Sequence, residues 1–184
     1  MKDKIAKPSK IKPLAKYKNH KKPRIGYYSA DFCDHAVLHL MMDVFRNHNK
    51  SLFDFFGFSF GPDKNDNWSN EVKNYFIKFE DVTKISDKEV ADLSRKLEID
   101  IAIDLTAFTS NSRSGIFSYR AAPIQINYLG YPGTMGAEYI DYIIADEVII
   151  PKENFNYYTE KVLYLPDCYQ ANMSQKNISK KQFK

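Results

Sequence analysis

Apolar positions along the chain come in short stretches whose spacing switches between the period of a strand and that of a helix. After Pro23, Arg24-Ile-Gly-Tyr-Tyr-Ser29 forms a β-rich run that ends in the polar loop Ala30–His35. From Val37 the pattern turns helical. Leu38, Met41, Met42 and Phe45 fall at i, i+3, i+4 and i+7, and the segment stops in Asn47-His-Asn-Lys50. Phe53–Phe60 reads as a buried aromatic strand closed by the turn-forming stretch Gly61–Asp66. Trp68, Val72, Tyr75, Phe76 and Phe79 predict a second amphipathic helix. A third begins at Ser86, where Ser86-Asp-Lys-Glu89 fits a capping box, and runs to about Leu97. Ile99–Leu105 is the clearest strand, and Pro123–Leu129, Tyr142–Ala145 and Val162–Leu165 read as further strands.

Strands alternating with helices predict βαβ crossovers, and so an open, mostly parallel, Rossmann-like α/β sheet. Ligands of such sheets bind beyond the carboxyl ends of the strands. Two loops stand there, Ser29–His35 and Leu129–Gly136.

Composition narrows the class. At 184 residues the chain is long enough for one domain with a sizeable core. No apolar run approaches the ~20 residues of a spanning helix, so no membrane partner is expected. The opening MKDKIAKPSK lacks the apolar segment of a secretory signal. Cys33 and Cys168 are too few for a disulfide framework and suit a reducing cytoplasm. The net charge of +4 divides unevenly: residues 1–22 hold nine Lys against Asp3, residues 175–184 hold four Lys and no acid, and the body between carries −8. Lysine-rich ends can bind polyanions by counterion release. The leader, however, has no arginine and only Tyr17 as a stacking platform, so nucleic acid is not an expected partner. Residues 1–22 read as a flexible leader, 23–170 as one folded lobe, and 171–184 as a polar linker towards further protein.

Two motifs could carry chemistry. In Asp31-Phe-Cys-Asp-His-Ala-Val-Leu-His39, His35 stands at the start of the first helix and His39 one turn further in. A zinc protease would need His-Glu-x-x-His, and position 36 is Ala. A bare His-x-x-x-His clip has no obvious third ligand. The structural alternative is a capping His and a core His. The functional one is a base or polar contact, because a helix N-terminus favours a neutral imidazole that can accept a proton and faces anions well. Asp31 and Asp34 are near enough in sequence to orient it. The second motif, Leu129-Gly-Tyr-Pro-Gly-Thr-Met-Gly136, is a stiffened loop poor in side chains that lets backbone approach a ligand. It is neither a Walker loop nor a G-x-G-x-x-G fingerprint, so neither an ATPase nor a dehydrogenase is supported. A tight βα turn is the plain structural alternative.

Taken together, Arg24–Phe32 with His35 and His39-Leu40, then Arg120–Gly136 and Ile140-Asp-Tyr-Ile143, resemble the catalytic region of the protein O-linked N-acetylglucosamine transferase family. That family, glycosyltransferase family 41, includes the SPINDLY-type proteins. The resemblance covers roughly residues 22–170 in colinear order. It implies a GT-B glycosyltransferase fold, of which this chain resembles the N-terminal lobe alone. It places Asp31 and His35 where the family's Asp and His face sugar nucleotide and acceptor. Leu129, Gly130 and Pro132 fall where the family's loop contacts the donor sugar, and Thr134 shapes that loop. Arg113 matches an Arg of the family's Asp-Leu-x-Gly-x-Thr region. That region departs here, with Ala107 for Gly and Phe108 for a His of many relatives. Ala36 and Val37 likewise replace Pro-Thr, and the lost hydroxyl removes one polar contact near the sugar.

The activity so implied is inverting transfer of N-acetylglucosamine from UDP-GlcNAc to Ser or Thr of an acceptor protein, with no metal and no further cofactor. The family's second lobe holds uridine and diphosphate, so the expected partners are the nucleotide-sugar donor, an acceptor protein and a C-terminal lobe in cis or in trans. Turnover by this chain alone is not expected. A SPINDLY-like O-fucosyltransferase lobe using a guanosine donor, or a non-catalytic protein-binding module, are the alternatives.

Overall fold

The computed structural model describes residue 17 and residues 20–62 and 64–174. Most of the lysine-rich leader and all of 175–184 lie outside the described residues.

Seven parallel strands form one sheet in the order β3-β2-β1-β4-β5-β6-β7. They are β1 (Arg24–Ser29), β2 (Asp54–Ser59), β3 (Lys78–Asp81), β4 (Ile101–Asp104), β5 (Ile124–Asn127), β6 (Tyr142–Ala145) and β7 (Lys161–Tyr164). The helices are α1 (Ala36–Arg46), α2 (Asn67–Val72), α3 (Asp87–Lys96) and α4 (Gly115–Ser118). The expected open α/β sheet is present, and every pairing in it is parallel.

Strand side chains alternate between two covered faces. On one, Tyr27, Phe55 and Ile103 pack against Leu38, Met41, Met42 and Phe45 of α1. On the other, Tyr28, Phe58 and Ala102 pack against Val90 and Ala91 of α3 and Ile116 and Phe117 of α4. The Tyr28 and Phe58 rings stack 4.4 Å apart, and the Tyr28 hydroxyl is satisfied by Ser94 Oγ at 2.5 Å. Local signals agree with these placements. Ser86 and Glu89 complete the capping box of α3, whose first turn carries Asp87 and Glu89 and whose last carries Arg95 and Lys96, complementing the helix dipole.

One expected element is corrected. The amphipathic helix anticipated over 68–79 ends at Val72 and passes through a 3-10 turn at Lys73–Tyr75. The chain then becomes the edge strand β3, which pairs Phe79 with Gly57 of β2. Phe76 and Phe79 bury against Phe32 and Phe45 by this route rather than on a helix face.

The ends of the described chain also return to the lobe. His20 Nε2 lies 2.6 Å from Asp100 Oδ2. Beyond β7, Tyr169 accepts from the Tyr128 hydroxyl and donates its amide to Asp146, both at 2.8 Å. Ala171 and Met173 pack onto the α1 face, and Ser174 bonds Asp43 of α1 through its amide and its hydroxyl at 2.7 Å. The strand order reverses between β1 and β4, which puts the crevice for a ligand beyond their carboxyl ends.

Candidate functional site

Three loops meet at that crevice, and the buried Thr106 joins them. The Ala30 amide donates to Thr106 Oγ1 at 3.0 Å, tying the loop after β1 to the loop after β4. Gly130, after β5, lies so close that a Cβ there would stand 2.1 Å from the Leu105 carbonyl oxygen and 3.3 Å from the Thr106 Cα. Side chains from all three segments, Phe32, Leu105 and Leu129, share one apolar cluster.

The first loop carries Asp31 and His35 together. His35 is the N-cap of α1: its Nδ1 accepts the Val37 amide at 3.2 Å, while the ring is 45% exposed. Since that lone pair is taken by the cap, the neutral ring carries its hydrogen on Nε2 and offers a donor to whatever lies above it. Asp31 Oδ1 lies 3.7 Å from Nδ1. Burial pushes the Asp31 carboxyl above the usual carboxylate range, opposed by His35 and then by Lys64. With His35 Nδ1 occupied by the cap, the Asp31 oxygens are the acceptors that this pair offers.

His39 is no core residue. It is half-buried, its Nε2 lies 2.8 Å from Asp34 Oδ1, and its ring leans on Trp68 at 4.4 Å. The Asp34 amide in turn donates to Asp66, the cap of α2. His35 and His39 thus point to different partners, and among the described residues no group of three His, Cys, Asp or Glu side chains is arranged to hold a metal.

The second loop is shaped from within. Leu129 adopts φ +70° and the Gly130 amide bonds back to the Tyr128 carbonyl at 2.9 Å, a γ-turn that is strained for a non-glycine. The Leu129 side chain is buried, so the loop presents backbone rather than leucine to the crevice. Asn127 Nδ2 holds the carbonyls of Tyr131 and Gly133 at 3.0 and 3.2 Å. Pro132 is exposed at the tip. Thr134 Oγ1 donates to Glu160 at 2.7 Å and accepts the Gly136 amide at 3.0 Å, so its hydroxyl is occupied inside the protein. The amides of Gly130, Met135 and Gly136 are likewise spent on internal bonds.

The third loop follows β4. Asp104 is fully buried and accepts the amides of Thr106 and Ala107 at 2.9 Å, yet burial still raises its carboxyl to about 6. Ala107 sits at φ +47°, a conformation that a glycine would adopt without strain. Phe108 is 47% exposed, its ring centroid 6.0 Å from that of Tyr131 across the crevice mouth. Arg113 is committed elsewhere: it forks between Asp87, at 2.7 Å, and the carbonyls of Val82 and Ile85, bracing the start of α3. Sequence reasoning did not find Thr106 or Glu160. Thr106 stands at an unspecified position of the Asp-Leu-x-Gly-x-Thr region and Glu160 lies outside both motifs, so only the folded contacts reveal them.

The glycosyl transferase family 41 model matches residues 3–181. A probable UDP-N-acetylglucosamine–peptide N-acetylglucosaminyltransferase SEC of Arabidopsis thaliana is 37% identical over 90% of this chain and 17% of its own length. The UDP-N-acetylglucosamine–peptide N-acetylglucosaminyltransferase of Caenorhabditis elegans is 35% identical over 82% of this chain and 13% of its own. A SPINDLY relative of Oryza sativa is 32% identical over 80% of this chain. Among solved structures, a mutant Thermobaculum terrenum O-GlcNAc transferase superposes with a TM-score of 0.81 at 27% identity, covering 86% of this chain and 31% of that one. The chain therefore spans well under a fifth of these curated relatives and about a third of the solved one. With a family model running nearly end to end, the chain belongs to glycosyl transferase family 41.

Proposed function

We propose that this chain is the N-terminal lobe of a GT-B protein O-GlcNAc transferase, and that its crevice takes the donor sugar and the acceptor hydroxyl. The observation that carries the reading is the meeting of the His35-capped helix start and the Gly130 loop at Thr106, at the reversal of strand order. The two motifs lie about a hundred residues apart in sequence.

In the reaction, the acceptor oxygen bonds to the anomeric carbon as the bond from that carbon to the diphosphate oxygen breaks on the opposite face. The hydroxyl proton passes to the Asp31 carboxylate, whose raised affinity for protons suits it to the task. His35 Nε2–H orients an oxygen of the acceptor or donor, and the Leu129–Pro132 backbone bounds the sugar. Charge on the departing diphosphate is met by a second lobe, in cis or in trans, that also holds the uridine. Two free cysteines, Cys33 and Cys168, support a reducing, cytoplasmic setting. Among the described residues no helix is long and apolar enough to cross a membrane.

The test is transfer of labelled N-acetylglucosamine from UDP-GlcNAc to a Ser- or Thr-containing peptide by the chain joined to a family C-terminal lobe. Transfer that needs both parts supports the reading. Fucose transfer from GDP-fucose, with none from UDP-GlcNAc, replaces it with an O-fucosyltransferase. Binding of the second lobe without any transfer makes the chain a docking module.

A further inference from the structure

The loop expected to bound the donor sugar is not held by its own strand alone. Immediately before β7, Glu160 is a carboxylate with 4% of its surface exposed, and it faces two donors of the loop. The Met135 amide donates to Oε1 at 2.6 Å and the Thr134 hydroxyl donates to Oε2 at 2.7 Å. The residues beside it reach the same loop. The Thr159 amide donates to Thr134 Oγ1 at 3.3 Å, and the Tyr158 hydroxyl reaches the Pro132 carbonyl at 3.4 Å. From the opposite side Asn127 Nδ2 holds Tyr131 and Gly133, while its own Oδ1 is buried without a partner.

A buried carboxylate is costly unless its lone pairs are filled, and short charge-assisted bonds are the strong ones. Glu160 therefore fixes the far end of a loop whose near end is fixed by the strained Leu129 turn. Between these anchors lies Gly130–Gly133, which includes the backbone up to Pro132 that would bound the sugar.

We infer that Glu160 is a positioning residue for the donor-sugar loop, acting through Met135 and Thr134 without touching the ligand. This rests on the donor-site reading given above. The chemistry asks for a carboxylate here. A glutamine keeps the Met135 bond only as a neutral one, and its NH2 group faces the Thr134 hydroxyl, which must turn its hydrogen away, so the charge-assisted character of both bonds is lost.

The experiment compares the wild-type chain with Glu160→Gln, Glu160→Asp and Thr134→Val by amide hydrogen exchange and by nitrogen-15 NMR titration with UDP-GlcNAc. In Glu160→Gln, exchange at Met135 rises severalfold, the effect of trading a charge-assisted bond for a neutral one, while β4 amides keep wild-type protection. The shifts that UDP-GlcNAc induces at Tyr131, Gly133 and Thr134 weaken at least threefold, and Glu160→Asp restores part of both effects. Thr134→Val keeps the Met135 bond to Glu160 but removes the hydroxyl that donates to Glu160 and accepts the Gly136 and Thr159 amides, so it loosens Thr134–Gly136 should Glu160→Gln not fold. Unchanged exchange at Met135, equal loosening of loop and β4, or a wild-type titration from a loosened loop each overturn the inference. A wild-type loop that ignores UDP-GlcNAc refutes the donor-site reading and with it the role towards donor, while Met135 exchange in the free chain still shows whether Glu160 holds the loop.

Discussion

Gly130→Ala probes the closest approach in the site. The added Cβ would meet the Leu105 carbonyl oxygen at 2.1 Å and its carbon at 2.9 Å, well inside the 3.4 Å at which ordinary contact begins. Those are backbone atoms at the end of β4, flanked by the Thr106 and Asp104 bonds, so no rotamer can relieve the clash. Overpacking of this kind costs about 1–3 kcal/mol. In a domain of this size each kcal/mol moves the melting temperature by about 2–4 °C, so Gly130→Ala should melt about 2–12 °C below wild type. Gly133→Ala is the control. Its Cβ would first meet the Tyr131 side chain, at 2.7 Å, and a partly exposed side chain can swing aside, so the cost stays below about 1 kcal/mol. Melting followed by circular dichroism gives both values. Equal melting temperatures for Gly130→Ala and wild type would refute the packing of this loop on β4.

Asp104→Asn should change how stability depends on pH. The folded carboxyl titrates near 6, above its unfolded value of 3.8, so its contribution is complete below about pH 4 and is lost as pH rises through 6. The difference is worth up to about 3 kcal/mol, so Asp104→Asn should gain that much on wild type between pH 4 and 7 in paired denaturation curves. His35→Ser keeps a capping side chain but deletes the Nε2 donor, so turnover in the assembled enzyme should fall by about 10²–10³-fold with α1 intact by circular dichroism. His39→Ala, which loses the Asp34 contact and the Trp68 packing, should cost about 1 kcal/mol and leave turnover per folded molecule within severalfold of wild type.

What the sequence made legible follows from how local each signal is. The α3 capping box and the α1 face are written within one or two turns, and both were readable. The stretch 68–79 misled because Trp68, Val72, Phe76 and Phe79 satisfy a helical period while the chain changes conformation beneath it. The edge strand Lys78–Asp81 has only Phe79 to bury and so shows no alternation. In the site, the cap at His35 and the glycine loop follow from residue type. The bond from Glu160 to Met135 spans 25 residues, and the bond from Thr106 to Ala30 spans 76, so neither leaves a local trace. The Nε2 donor of His35 is also a structural result, because it depends on which ring nitrogen the Val37 amide meets.

Mapping UDP-GlcNAc onto this chain by nitrogen-15 chemical shifts tests the central claim most directly. If, as proposed, a second lobe holds uridine and diphosphate, binding to this chain alone is weak, in the millimolar range. Shifts should concentrate in the amides of Asp31–Ala36, Thr106–Phe108 and Gly130–Gly136 around the reversal of strand order. Micromolar affinity, or shifts centred instead on the ~390 Å³ cavity lined by Phe32, Ser59, Lys73 and Asp81 beyond β2 and β3, would contradict it.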